Sequence, residues 1–106
     1  MAEPGHTLTL LGAALDRIVK QIPGVSSRTI VIFVHTAMSS PRTVKELADE
    51  LDTPSSVILK SATELQRSFG LMTIEMPEGG VGPSARRLDL TAKGRELAAM
   101  LDSIQV

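Results

Sequence analysis

Residues 43–57, Thr-Val-Lys-Glu-Leu-Ala-Asp-Glu-Leu-Asp-Thr-Pro-Ser-Ser-Val, hold two helix starts in close succession. Thr43 followed by Glu46 reads as a capping box, a hydroxyl at the cap answered by a carboxylate three residues on. Val44, Leu47, Ala48 and Leu51 then share one face, with Lys45, Glu46, Asp49 and Glu50 outside it. Asp52-Thr53-Pro54 is the second start: threonine caps, and proline suits the first helical position. The helix it opens is expected to run to about Ser68, with Gly70 as its stop. A short helix, a tight turn and a longer helix form a helix-turn-helix.

Beyond Gly70 the apolar period changes to two. Met72, Ile74 and Met76 alternate with Leu71, Thr73 and Glu75, which predicts a strand. Pro77-Glu78-Gly79-Gly80-Val81-Gly82-Pro83-Ser84 is a loop by composition, and Arg86-Arg87-Leu88-Asp89-Leu90 alternates again as a partner strand. Thr91 caps a last helix in which Leu97, Leu101 and Ile104 share a face. Upstream, Leu8, Leu11, Leu15, Ile18, Val19 and Ile22 mark one face of a helix over 7–22, ended by Pro23-Gly24. Residues 29–38 read two ways: the β-branched run suits a strand, and a buried helix gives the same pattern. The elements that follow favour the helix.

The expected fold class is mainly α (α+β): a winged helix-turn-helix with a two-stranded β-hairpin wing and flanking terminal helices. One domain spans 1–106, with N-terminal helices in 1–40, helix-turn-helix and wing in 41–91, and a C-terminal helix in 92–106. A chain of 106 residues fits a single domain. A hydrophobic share of 42% with 22% charged residues is that of a globular protein rather than a disordered one. Without cysteine there is no disulfide, thiol nucleophile or cysteine-ligated metal. Two distant histidines, His6 and His35, supply no metal cluster, and His35 is expected to pack rather than ligate. No carboxylate pair or nucleophile–base arrangement stands out, so no enzyme activity and no cofactor is expected. Gly79-Gly80-Val81-Gly82 lacks the lysine and helix of a phosphate-binding loop. The apolar run Ile30 to Val34 is too short to span a membrane, and Met1 to His6 carries no basic leader, so a cytoplasmic location is expected.

Eleven Lys and Arg against twelve Asp and Glu give a net charge of −1, spread without a basic block. Nucleic-acid binding would therefore rest on a few placed cations. At 100° per residue the second helix of the pair sets Ile58, Ser61, Ala62, Leu65 and Phe69 on one side. Ser56, Lys60, Thr63 and Arg67 fall opposite, with Ser55 at the N-terminal end, a small polar cationic face suited to the major groove of double-stranded DNA. Glu64 lies on its flank. Arg86 and Arg87 would serve the wing, and Arg42 could clamp a phosphate beside the capping box.

From Thr43 to Leu97 the chain resembles the MarR family of transcriptional regulators. The pieces that carry the resemblance are Thr43-Val44-Lys45-Glu46-Leu47-Ala48, Pro54-Ser55-Ser56-Val57, Gly70-Leu71 and, most specifically, Leu90-Thr91-Ala92-Lys93-Gly94-Arg95-Glu96-Leu97. The resemblance implies a homodimer with interlocked terminal helices and paired recognition helices on a palindromic site. Where that family carries an Asp-x-Arg in its wing, this chain has Gly82 and Ser84. Independently, Leu8, Leu11, Leu15 and Ile18 with Leu97, Leu101 and Ile104 offer more apolar stripe than a small monomer covers, which predicts a two-fold dimer interface. A DNA-binding regulator, acting as a repressor, is the expected function. Its rival is a winged-helix protein–protein interaction module in a larger assembly, favoured by the near-neutral charge. Nothing in the residues identifies a small-molecule effector.

Overall fold

The β-branched run from Thr29 to Val34 is helical in the computed structural model, which describes residues 5–104. Met1 to Pro4, on which the leader reading partly rests, lie outside the described residues, as do residues 105 and 106. Ser26 starts this helix by accepting a hydrogen bond from the Thr29 N–H at 3.2 Å. Ile32, Phe33 and Thr36 are then carried into the interior. Burial of its apolar side overrides the strand propensity of these residues.

The elements run α1 (His6–Gln21), α2 (Ser27–Met38), β1 (Arg42–Thr43), α3 (Val44–Leu51), α4 (Ser55–Arg67), β2 (Met72–Glu75), β3 (Arg87–Leu90) and α5 (Ala92–Asp102), with a single 3-10 turn at Pro83–Ala85 before β3. The strands form one antiparallel sheet in the order β1-β3-β2. The expected hairpin is present as β2 and β3, and β1 adds a third strand to it that the sequence reading lacks. Arg42 and Thr43 pair with Leu88 and Arg87, giving β3 a partner on its other edge. Among the described residues no helix is long and apolar enough to cross a membrane.

α3 starts with the expected capping box. The Glu46 N–H donates to Thr43 Oγ1 at 3.1 Å, and the Thr43 N–H donates to Glu46 Oε1 at 3.0 Å. α4 departs from expectation at its start. Pro54 holds the cap position rather than the first helical one, and the Thr53 hydroxyl donates back to the Leu51 carbonyl. Proline is tolerated there because the first amides of a helix lack intrahelical partners in any case. The turn between the two helices is Asp52-Thr53-Pro54, with Asp52 in the left-handed region at φ 49°, a conformation that aspartate tolerates better than most residues.

The core gathers Ile32 and Phe33 from α2, Val44 and Leu47 from α3, Ile58, Ala62 and Leu65 from α4, Leu71 from the link before β2, and Met72, Leu88 and Leu90 from the sheet. Each large apolar side chain sealed here contributes about 1.5–3 kcal/mol. α5 is latched onto this body through Thr91. Its N–H donates to the Leu71 carbonyl at 3.0 Å, its hydroxyl donates to the Gly70 carbonyl at 2.7 Å, and the same hydroxyl accepts from the Gly94 N–H. Gly94 is buried against the Leu71 carbonyl, where a Cβ would collide. α1 is held differently. Within α1 only Ile18 is buried, joined by Ile22 at its C-terminal end.

Candidate nucleic-acid interface

Amphipathic α4 turns Ile58, Ser61, Ala62 and Leu65 inward, as its spacing predicts. Phe69 lies past the helix end but still packs against the core. On the opposite face Ser56, Lys60 and Arg67 are exposed. Neither Lys60 nor Arg67 forms an ion pair among the described residues, so both cations are uncommitted. Thr63 is half-buried and donates its hydroxyl to the Leu59 carbonyl at 2.8 Å, leaving the oxygen lone pairs to accept. Glu64 is half-buried, and its Oε1 is shielded without a hydrogen-bond partner among the described residues.

Two hydroxyl contacts fix how α4 sits. Inside the body, Thr29 Oγ1 donates to Ser61 Oγ at 3.1 Å, joining α2 to α4 at a buried point. At the other end Ser55 Oγ lies 3.0 Å from Ser84 Oγ, which straps the α4 N-terminus to the return limb of the glycine loop. The wing is therefore held beside the α4 start. Neither contact is visible in local spacing, because the partners stand 32 and 29 residues apart. Serine at 84 is legible as a departure from the family pattern, but its partner is not.

The three remaining candidate cations fare differently. Arg86 and Arg87 are exposed at the root of the wing, Arg87 opposite both Thr43 and Glu75 in the sheet. Neither has an ion pair among the described residues. Arg42 is engaged. Its side chain is 14% exposed, one guanidinium nitrogen lies 2.8 Å from Glu50 Oε2, and its Nε lies 3.7 Å from Glu46. His35 of α2 joins the cluster with Nδ1 3.4 Å from Glu50 Oε2, a packed residue tying α2 to α3. The Arg42 hydrogen bond holds the Glu50 carboxyl below its ordinary value. The Thr43 backbone N–H, then its hydroxyl, do the same for Glu46.

The dimer candidates divide. Ile18 and Leu97 lie within the chain's own core. Leu8, Leu11 and Leu15 are exposed, Leu8 by 72%, and Leu101 and Ile104 are half-buried. Leu11 and Leu15 line an apolar groove of about 520 Å³ with Ile30, Phe33, Met38 and Leu101, so α1, α2 and α5 supply its three walls.

A helix-turn-helix whose second helix presents unpaired cations, followed by a β-hairpin strapped to it, defines a winged helix-turn-helix domain. The fold is that of the MarR-type transcriptional regulators. The chain is similar to FabT of Streptococcus pneumoniae in complex with DNA, at 17% identity and a TM-score of 0.70, covering 91% of this chain and 65% of that one. It is similar to MarR of Staphylococcus aureus in complex with salicylate and kanamycin, at 20% identity and a TM-score of 0.69, covering 89% of this chain and 59% of that one. A MarR-like transcriptional regulator from Thermotoga maritima has 23% identity and a TM-score of 0.63, covering 97% and 75%. The chain thus spans less than two thirds of the Streptococcus and Staphylococcus chains. No protein-family model and no curated protein sequence matches it.

Proposed function

We propose that this chain is a sequence-specific double-stranded DNA-binding regulator that acts as a homodimer and represses transcription by occupying its site. The observation that carries the reading is the face of α4, where Ser56, Lys60 and Arg67 are exposed and the two cations have no protein partner among the described residues. In the proposed complex this face enters the major groove. Lys60 meets phosphate, Arg67 pairs with phosphate or with the acceptor edge of guanine, and the hydroxyls of Ser55, Ser56 and Thr63 allow close approach. Arg86 and Arg87 meet the backbone at the wing root. Arg42 reaches a phosphate only by leaving Glu50, so its share is secondary. A net charge of −1 makes a single copy a weak binder, and two copies with recognition helices about 34 Å apart would supply the affinity that one lacks. The groove between α1, α2 and α5 is the surface we assign to that pairing, with Leu8, Leu11 and Leu15 entering the partner.

The test is selection of duplexes from a random library followed by titration at several salt concentrations. Removing one cation that neutralises a phosphate should flatten the slope of log affinity against log salt by about 0.9. Lys60→Ala with Arg67→Ala is expected to weaken binding at least about tenfold and to flatten that slope by about one to two. Unchanged DNA retention in the double variant would overturn the assignment of α4. The interaction-module reading draws its support from the near-neutral charge, and it predicts no duplex enrichment at any salt concentration.

A further inference from the structure

We propose that the wing of this protein meets the minor groove through an apolar tip, Val81, and so favours duplexes whose minor groove opens easily. The inference rests on the DNA-binding reading above and specifies the kind of site that reading requires. Val81 is 88% exposed, the highest value among the exposed large apolar residues of the described chain. It stands between Gly80 and Gly82, and Gly79 and Gly82 both hold φ near +79°, so the loop presents one bulky side chain on a bare backbone. The stem beneath it is not loose. A Cβ on Gly80 would meet Met76 Sδ and the Pro77 carbonyl at 3.0 Å and Ala85 Cβ at 3.2 Å.

Charge decides which groove suits this tip. From Met76 to Ala85 the loop carries no cation and one acid, Glu78; Arg86 and Arg87 follow only at its root. A narrow A-tract minor groove concentrates negative potential and rewards inserted cations, so this tip gains nothing there and Glu78 is repelled. An apolar side chain gains by burial against sugars and base edges, and this needs a groove that widens or a step that unstacks. Pyrimidine–purine steps give way at least cost. The position of the loop fits such an approach, because the Ser55–Ser84 contact holds the return limb at the α4 N-terminus. Val81 stands three residues before Ser84, so the tip is tethered close to the start of the helix proposed to enter the major groove.

The experiment compares the wild type with Val81→Ser and Val81→Arg in the same duplex selection, followed by anisotropy titration. Circular dichroism is recorded on each; the side chain is almost fully exposed, so folding should be unaffected. The wild type is expected to enrich pyrimidine–purine steps flanking each half-site and no A-tracts. Val81→Ser should bind about fivefold more weakly with an unchanged salt slope. Val81→Arg should acquire A-tract preference and a slope steeper by about 0.9. A Val81→Ser protein that binds within twofold of wild type and selects the same flanks would overturn the tip contact while leaving the α4 reading intact. Enrichment of A-tracts by the wild type would overturn it as well. A wild type that enriches no duplex at all overturns the proposed function and this inference together.

Discussion

Glu46 and Glu50 illustrate how single side chains tie this domain together, and they titrate accordingly. Both carboxyls are held below their ordinary value of 4.5, Glu46 by the Thr43 backbone N–H and hydroxyl and Glu50 by the Arg42 hydrogen bond. A group whose folded value is depressed stabilises the fold fully above its unfolded value, and that stabilisation is lost as pH falls through the folded value. The melting temperature should therefore decline below about pH 4.5. Glu46→Gln keeps a capping side chain but removes one titration, so its decline between about pH 5 and 3 should be shallower than the wild type's. Parallel curves for the two proteins would show that Glu46 carries none of the acid sensitivity. The capping box is legible from Thr43 and Glu46 alone, because it is a local pattern. The claim of Glu50 on Arg42 is not, since it depends on β1 bringing Arg42 beside α3.

At the level of elements, the attachment of α5 turns on Gly94. Its backbone lies against the Leu71 carbonyl, and a methyl group there has nowhere to go without moving the helix off Thr91. Gly94→Ala would ordinarily favour a helix by up to about 1 kcal/mol. Here overpacking should outweigh that gain, and we expect a net destabilisation of about 1–3 kcal/mol in chemical denaturation. A stabilised variant would show that the latch is looser than its geometry. The elements most readable from sequence are those with a repeating signal: the apolar faces of α3 and α4, and the alternation in β3. Two residues cannot display alternation, which is why β1 leaves no trace in the pattern and the sheet reads as two strands. The run in α2 is ambiguous for the opposite reason, being apolar on nearly every side.

For the whole molecule, much of the exposed apolar surface lies on α1 and its groove. Its extents of 48 × 26 × 20 Å describe an elongated body, and Leu8, Leu11 and Leu15 remain exposed along α1. In the proposed dimer these leucines are covered. Leu11→Glu with Leu15→Glu should leave the helical content intact, convert the protein to a monomer in sedimentation equilibrium, and weaken DNA binding by two orders of magnitude or more. A double variant that still sediments as a dimer would place the interface elsewhere. Periodicity separates polar from apolar faces on each helix, but it does not say which apolar residues are consumed within the chain's own core. Ile18 and Leu97 carry the same periodic signal as Leu11 and Leu101, and the two pairs differ only in what the tertiary fold brings against them.

The way α1 is mounted has a mechanical consequence. Sixteen residues make a rod about 24 Å long, and it is rooted in the body at one end through Ile18 and Ile22. A tilt of about ten degrees at that root displaces the free end by about 4 Å, more than the length of a hydrogen bond. If two such rods clasp each other, a small change at the clasp is geared up into the separation of the two recognition helices, while the helical repeat of DNA stays as it is. Fit to the operator would then be tuned from the far end of the molecule.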